Sequence, residues 1–504
     1  MDHLAVVHVS KRLSKKSFLL KVIIALLATS YCISAQGQVT FRKAIGNSED
    51  DIATCVRETN DYGFIVTGTT GSVPNTNSNI FLLKLDSMGD LVWSENYGSS
   101  YGTENSKKVL QTADGGFIVV GFTNYSGNGG YDVYAVRTDS VGDELWSATY
   151  GGPDWDFGND IIALPNGNYG IVGSTYSYGN GNSDGYYIEI DDAGNEIGSM
   201  TYGGENEDVL NALTLSADGN LLFCGYTKNA VTEDSDATVI KTDLSGNLIW
   251  MNTYGEDGED YFSDIIATAD LKYLAVGSTT SFGLDNKNFY LVKFTDQGSL
   301  VYERHDGGSG DEEAREVTEG LSGICSIIGY TTSFGSGDQS IMLYQFSSGG
   351  WWINSPVYGL AFEDGYSIDY THDNGYIFAG ITNGYDVSNL DALIIKTDAD
   401  GQTSTTGDVE NIIDNLVSLD ELELEDSGFY VGAAENFLTV KSPEVAISNV
   451  TLINLMGQVV LSQRFFNRSN TVDLDVASIP NGIYIVAVEL DNSPSRVSKI
   501  CVSH

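Results

Sequence analysis

Residues 131–152 read YDVYAVRTDSVGDELWSATYGG, and residues 183–204, which lie 52 positions further along, read SDGYYIEIDDAGNEIGSMTYGG. Both segments contain two runs of alternating apolar residues around a polar turn, and both end on Tyr-Gly-Gly. The same marker recurs at intervals of 52 residues, and once of 53, with Ile-Gly or Asp-Gly replacing Tyr-Gly in two copies: Ile45, Tyr97, Tyr150, Tyr202, Tyr254, Asp306 and Tyr358. Seven copies at a period near 50 predict a solenoid, propeller or array.

Within one repeat, every secondary-structure signal favours β-strands. The second repeat has four strand-forming runs, separated by Asp-, Ser- and Gly-containing turns and one long polar loop: residues 108–112, 117–121, 132–138 and 144–149. The second run is nearly continuous in apolar residues, as at 221–224, which is typical of sheets covered on both faces. Four-stranded units repeated radially form a β-propeller. The sequence therefore predicts an all-β, seven-bladed β-propeller over residues 38–401.

The closure of the ring is also predictable from the repeats. The seventh repeat lacks its fourth strand, because residues 402–405 read QTST after the last turn. Residues 39–43, however, align with the fourth strand of the following repeat. We therefore expect an N-terminal strand to complete the last blade, which removes an exposed sheet edge.

The first 37 residues are typical of a signal peptide, since basic residues precede the apolar run 18–28 and small residues follow at 34–37. This predicts export, and no other run is long and apolar enough to span a bilayer. The remaining cysteines lie in different repeats or domains without metal-ligand spacing. We expect them to be buried free thiols: Cys55, Cys224, Cys325 and Cys501.

The formal net charge of −44 argues against nucleic acid and anionic membranes as partners, because both would be repelled. Such acidity attracts cations or basic partners, or serves solubility alone. Beyond residue 37 the only histidines are His305, His372 and His504, so neither a multi-His metal site nor a Ser-His-Asp arrangement is evident. The sequence gives no motif for catalysis, although loop residues from different blades can still assemble a site.

Strand directions place the long, variable loops on one face of the propeller, here called the long-loop face, where binding usually resides. Carboxylates recur at two positions on this face, including Asp132, Asp156, Asp184, Asp208, Asp236 and Asp260. One interpretation is that they cap strand entries and turns. The other is that their oxygens bind calcium, the one ion we consider, with no cofactor required.

Aromatic residues occupy the same loops: Trp155, Tyr176, Tyr178, Phe282, Phe334 and Tyr385. An apolar platform with a few directional polar groups is typical of a sugar-binding surface. The register shared by Tyr178, Phe282 and Phe334 fits packing between blades equally well. We expect a monomeric binding or adhesion module for a glycan or a surface protein. A polysaccharide-degrading enzyme and a structural surface coat are the alternatives.

The repeats end at Gly401, and residues 402–428 form an acidic linker in which residues 409–416 have helical spacing. Residues 429–504 form a separate small β domain with six strand-forming runs at sandwich-like spacing. These boundaries predict a signal peptide, a propeller, a linker and a C-terminal β-sandwich.

The last 75 or so residues carry specific motifs. The segment VTLINLMGQVV at 450–460 and the segment IPNGIYIVAV at 479–488 precede KICV at 499–502. They resemble the type A C-terminal sorting domain of the type IX secretion system, with the motif residues Gly457, Gln458, Pro480, Asn481, Gly482, Tyr484 and Lys499. The resemblance implies a Bacteroidetes-type host, passage through the periplasm, recognition by the type IX machinery, and release or attachment at the cell surface. The repeats are similar to kelch-like propeller repeats of exported proteins in that group.

Overall fold

The computed structural model describes residues 38–403 and 430–502, apart from residues 47–48, 72–76, 100, 230, 233, 283–285, 336–337, 360, 385–388, 435–436, 443–445, 455–458, 466–468, 477–478, 480–481 and 491–492. The expected signal peptide and the helical spacing at 409–416 therefore lie outside the described residues, as does Tyr385. The chain divides into two compact units, Met1–Val417 and Ser418–His504, which are taken in turn.

The first unit is a propeller of antiparallel sheets. Strand β1 (Phe41–Ile45) belongs to the last blade, and each of the first three blades uses four consecutive strands, from the inside outward. Blade 1 contains β2 (Asp51–Glu58), β3 (Phe64–Gly71), β4 (Ser78–Leu85) and β5 (Leu91–Tyr97); blade 2 contains β6 (Glu104–Gln111), β7 (Phe117–Thr123), β8 (Asp132–Thr138) and β9 (Glu144–Tyr150); blade 3 contains β10 (Asp156–Ala163), β11 (Tyr169–Thr175), β12 (Asp184–Ile190) and β13 (Glu196–Tyr202).

The next three blades follow the same order. Blade 4 contains β14 (Asp208–Leu215), β15 (Leu221–Lys228), β16 (Ser235–Thr242) and β17 (Leu248–Tyr254); blade 5 contains β18 (Asp260–Ala267), β19 (Tyr273–Thr279), β20 (Asn288–Phe294) and β21 (Leu300–Asp306); blade 6 contains β22 (Glu312–Glu319), β23 (Cys325–Thr331), β24 (Ser340–Phe346), β25 (Trp352–Asn354) and β26 (Val357–Tyr358). A 3₁₀ turn at Leu321–Gly323 precedes β23. The outer strand of blade 6 is split at Pro356, because proline has no N–H to donate to the ladder.

Blade 7 closes the ring. It contains β27 (Glu363–Tyr370), β28 (Tyr376–Thr382) and β29 (Asp391–Thr397), and its fourth strand is β1. The antiparallel pairing runs from Phe41 opposite Lys396 to Ile45 opposite Ala392. The prediction that the N-terminal strand completes the last blade is thus confirmed, with the paired segment two residues further along than the alignment suggested.

The hydrophobic core consists of clusters that lie between successive blades. One cluster joins blades 1 and 7 through Phe41, Val56 and Ile394, and six others join the remaining pairs. The second strands are buried on both faces, as expected from their apolar runs. Cys55, Cys224 and Cys325 lie in these layers as buried free thiols, which confirms that prediction for the described cysteines.

In four repeats the marker tyrosine, Tyr97, Tyr150, Tyr202 or Tyr358, connects one blade to the next. The Tyr97 hydroxyl donates to the Gly142 carbonyl at 2.6 Å, and the Tyr150 hydroxyl donates to the Gly194 carbonyl at 2.8 Å. The accepting glycine lies in the outer hairpin turn of the following blade and has a positive φ, 93° at Gly142. A left-handed backbone favours glycine at that turn. The recurring tyrosine of the repeat is therefore explained by a hydrogen bond that is repeated between blades.

The second unit is a small β-sandwich. Its strands are β30 (Tyr430–Ala434), β31 (Phe437–Lys441), β32 (Ile447–Asn454), β33 (Val459–Arg464), β34 (Thr471–Asp475), β35 (Gly482–Leu490) and β36 (Ser493–Val502). One sheet has the order β30-β31-β34 and the other β33-β32-β35-β36. Leu438, Leu452 and Val486 contribute to the core. The six expected strands are present, and β30 adds a strand that the sequence did not predict.

Deletion of residues 38–44 is expected to destabilise the whole propeller, because it removes most of β1 and exposes the edge of β29. Phe41 is only 6% exposed, so Phe41→Ala alone should cost about 3–5 kcal/mol of unfolding free energy. Val92→Ala, at an exposed apolar residue of the outer strand β5, is the matched control. Thermal unfolding followed by circular dichroism measures the difference, and a deletion variant with the wild-type midpoint would refute the closing role of β1.

Candidate functional site

The long-loop face is formed as the strand directions predicted. In blade 3, Asp156 at the start of β10 lies opposite Thr175 at the end of β11, which lies opposite Asp184 at the start of β12. The loops that enter β10 and connect β11 to β12 therefore emerge at the same face. The other blades repeat this register.

The innermost strand of every blade contains a β-bulge. In β10, for example, the register skips Asn159, so that Gly158 and Asp160 face consecutive residues of β11. A bulge leaves one extra residue unpaired in the ladder and turns it away from its neighbours. The extra residues are Thr54, Lys107, Asn159, Asn211, Ser263, Arg315 and Tyr366. All seven line a cavity of about 660 Å³ where the blades converge, here called the central cavity.

In blades 3, 5 and 6 the acidic residue after the bulge accepts a hydrogen bond from the next blade. Oδ2 of Asp160 accepts the backbone N–H of Leu213 at 3.0 Å, and Oδ2 of Asp264 accepts that of Val317 at 2.9 Å. Glu316 does the same for Ile368 at 2.7 Å. These buried carboxylates accept backbone amides of the innermost strand of the next blade, which lies at the edge of its sheet, so their role is structural.

Two cations compensate the buried charge of this inner layer. Arg57 lies 2.5 Å from Oε1 of Glu316, and the Lys108 ammonium bonds the same oxygen. Burial alone raises the pKa of Glu316, but Arg57 and Lys108 together hold it below its ordinary value. Burial raises the pKa of Asp369 to about 6, despite the opposing effect of Arg57. Its Oδ2 accepts the N–H of Glu58 at 2.9 Å.

The recurring carboxylates of the long-loop face lie in pairs between blades. Asp156 accepts the N–H of Gly152 at 2.8 Å and the hydroxyl of Ser177 at 2.7 Å, and Asp132 accepts the N–H of Asn128 at 3.2 Å. Burial, and then the charge of Asp156, raise the pKa of Asp132. These hydrogen bonds support the interpretation as caps. Equivalent pairs are Asp184 with Asp208 and Asp236 with Asp260.

The Asp132–Asp156 pair is the one for which a cation is considered. Both carboxylates approach the same side of Gly151, and Oδ1 of Asp156 has no hydrogen-bond partner within the described structure. No group of three or more His, Cys, Asp or Glu side chains with metal-binding geometry occurs among the described residues. In blade 7 the residue equivalent to Asp156 is Glu363, which accepts the Thr382 hydroxyl.

Five aromatic side chains of blades 2 and 3 form one connected group, here called the aromatic cluster: Phe122, Tyr131, Trp155, Phe157 and Tyr176. The Trp155 ring centroid lies 6.2 Å from that of Tyr131 and 6.1 Å from that of Tyr176. Phe122 lies 5.0 Å from Phe157 and also lines the central cavity. The sequence identified Trp155 and Tyr176 and missed the other three, whose positions in or beside strands gave no loop signal.

The remaining aromatic candidates pack elsewhere on the long-loop face. Tyr178 donates its hydroxyl to the Gly151 carbonyl at 2.9 Å. The Phe282 ring stacks on His305, with 4.7 Å between ring centroids. Phe334 lies over Gly308, where an added Cβ would come within 3.1 Å of its ring. These contacts agree with packing within and between blades.

Comparison with protein families identifies the C-terminal unit. Residues 433–503 match the family model described as a secretion system C-terminal sorting domain. The chain is therefore an exported β-propeller that carries a type IX sorting domain, which engages the secretion machinery and directs the protein to the cell surface or the medium. Gly482 and Tyr484 begin β35, and Lys499 lies in β36 opposite Ile485. Gly457, Gln458, Pro480 and Asn481 lie outside the described residues.

Among solved structures, the extracellular domain of BT3049 from B. thetaiotaomicron matches 92% of this chain, with 11% identity and a TM-score of 0.43, and this chain spans 57% of it. PorZ of Porphyromonas gingivalis, an essential surface component of the type IX secretion system, matches 86% of this chain and 65% of its own, with 12% identity and a TM-score of 0.39. A polysaccharide lyase of family PL25, an ulvan lyase, matches 71% of this chain and 97% of its own, with 9% identity and a TM-score of 0.48.

None of these likenesses identifies an activity for this chain. The comparison with curated proteins returned no match. Among the described residues, no helix has the length and hydropathy needed to cross a bilayer.

The raised pKa of Asp369 gives the stability of the propeller a defined pH dependence. The folded state binds this proton more tightly than the unfolded state, so the contribution of Asp369 is most favourable below about pH 4 and is lost as the pH rises through about 6. Asp369→Asn keeps an acceptor for the Glu58 N–H and removes the titration. Relative to wild type, the variant should gain up to about 3 kcal/mol between pH 4 and pH 8.

Unfolding measured at both pH values tests this expectation. Asp191→Asn is the matched control: hydrogen bonds from Asn195 lower the pKa of the exposed Asp191, so its stability contribution changes only below about pH 4 and its difference from wild type should be nearly the same at pH 4 and pH 8. A pH-independent difference between Asp369→Asn and wild type would show that Asp369 is ionised at the same pH in both states.

Proposed function

We propose that the propeller is an extracellular carbohydrate-binding module that holds its ligand on the aromatic cluster of the long-loop face. The observation that carries the proposal is Trp155, whose side chain is 53% exposed while its ring contacts three others. A large ring fixed by neighbours, yet open to solvent, offers a sugar an apolar face at little entropic cost.

Polar groups beside the cluster support the same ligand class. Asn105 and Asn159 line the central cavity, which Phe122 joins to the aromatic cluster. Sugar sites combine an aromatic platform with a few side chains that hydrogen-bond hydroxyl groups. A glycan that lies across Trp155 and reaches the cavity meets both kinds of group.

The hydrogen bonds made by the nearby carboxylates favour binding over polysaccharide cleavage. Glu207 accepts the Tyr226 hydroxyl at 2.6 Å, and Glu259 accepts the Ser235 hydroxyl at 2.6 Å. Asp156 is buried and accepts the N–H of Gly152 as a cap. Glycosidases use two carboxyl groups on either side of the scissile bond, and these three carboxylates already serve neighbouring groups of the propeller.

Trp155→Ala is expected to weaken glycan binding about tenfold or more, which corresponds to about 1.4 kcal/mol, while shifting the melting temperature by less than about 2 °C. The binding readout is isothermal titration calorimetry with the strongest ligand from a glycan panel. Trp352→Ala removes a tryptophan of similar exposure, 62%, from the outer strand of blade 6 and should leave affinity unchanged. Equal effects of the two substitutions would contradict the proposed site.

We further propose that binding needs no metal, since the ring contacts that define the aromatic cluster are all between aromatic side chains. Calcium at 1 mM, compared with EDTA, should therefore change neither glycan affinity nor the melting temperature by more than about 1 °C. The same measurement on Asp132→Asn tests the alternative. A calcium-dependent rise of several degrees in wild type that is absent in Asp132→Asn would assign calcium to the Asp132–Asp156 pair.

A further inference from the structure

Lys107 is an exception among the cations of the central cavity. It is the extra residue of the bulge in β6, exposed to the cavity yet surrounded by protein, and its ammonium lies 5.9 Å from the centre of the Phe122 ring. Within the described structure it makes no hydrogen bond and no ion pair. By contrast, Arg315 lies 3.1 Å from Asp364, and Lys228 lies 3.6 Å from Glu207.

Lys107 is the cation of the cavity lining that has no counter-ion within the described structure. The other cations of the lining are paired: Lys108 with Glu316, Lys228 with Glu207, and Arg315 with Glu313 and Asp364. Both carboxylates of the lining already accept hydrogen bonds from neighbouring side chains. An unpaired positive charge in a concave, partly desolvated site attracts an anion more strongly than the same charge on an open surface.

Lys107 also lacks compensation in the unliganded cavity. Burial, and then the nearby Arg315, lower the pKa of Lys107, so the protonated form is disfavoured there. An anion placed between the two cations would remove that repulsion. The cavity volume of about 660 Å³ falls in the range of small-ligand sites, about 300–1,000 Å³.

We propose that the central cavity binds the anionic group of an acidic glycan, a carboxylate or a sulfate, with Lys107 as its ionic partner. The inference rests on the proposed function, because Phe122 belongs both to the aromatic cluster and to the cavity wall. Sugar rings on the cluster place a charged substituent beside Lys107, whose ammonium lies 5.9 Å from the centre of the Phe122 ring. The ligand class is therefore an anionic polysaccharide.

The test uses the purified full chain and three probes: alginate for carboxylates, dextran sulfate for sulfates, and uncharged dextran. Lys107→Met removes the ammonium and keeps an apolar stem of similar length. Lys272→Met removes one positive charge outside the cavity, where Lys293 still pairs with Asp270 at 3.1 Å, so it controls for net charge. Lys107→Met should lower the affinity for the charged polymer at least tenfold, and Lys272→Met should lower it less than twofold.

Increasing the salt from 50 to 500 mM should weaken wild-type binding of the charged polymer and have a smaller effect on Lys107→Met, because the screened ion pair is already absent. Binding of alginate would identify a carboxylate as the anionic group, and binding of dextran sulfate would identify a sulfate. Failure of both charged polymers to bind, or equal affinities of Lys107→Met and Lys272→Met, overturns the inference.

Trp155→Ala, measured in parallel, separates the two proposals. If Trp155→Ala weakens binding and Lys107→Met does not, the aromatic site stands and the anion site fails. If Lys107→Met weakens binding and Trp155→Ala does not, the cavity binds an anion without the aromatic platform, and the proposed glycan site fails.

Discussion

The pairing of β1 with β29 is the constraint on which the propeller depends. Each blade buries its apolar faces only against its two neighbours, so the core is a ring of inter-blade layers with no centre of its own. A ring held this way is continuous only if its first and last blades are joined. β1 provides that join by covalent attachment to blade 1 and by a hydrogen-bonded ladder within blade 7.

The bulge in each innermost strand connects the fold to the candidate site. In every blade one residue turns out of the ladder and lines the central cavity, and in four blades the next residue accepts a backbone amide of the neighbouring blade, as Asp160 does for Leu213. The first position varies in size and charge, from Thr54 to Lys107. The second is a hydrogen-bond acceptor in four blades, at Asp160, Asp264, Glu316 and Ser367.

The sequence was sufficient for the architecture, because its signals are local and repeated. The Tyr-Gly marker, the Asp-containing turns and the apolar second strands each have one physical cause that recurs in most blades, as at Tyr97 and Tyr150. The central cavity has no such signal. Lys107 and Arg315 are 208 residues apart, their positions differ in residue type from blade to blade, and a bulge changes register without changing the apolar pattern. Phe122 likewise reads as an ordinary strand residue until two blades are placed side by side.

The same closing strand governs the order in which the protein can become folded. Phe41 and Lys396 are paired across 355 residues of sequence, so the first strand has no partner until nearly the whole propeller has been synthesised. Contacts of such long range carry the largest loop-closure entropy and form late. Blades 1 to 6 contain only strands that are consecutive in the chain. Blade 7 is complete only after β1, from the start of the propeller, pairs with β29 at its end. Acquisition of the native state is therefore a property of the complete propeller, and a truncated chain remains open at blade 7 however well its other blades have formed.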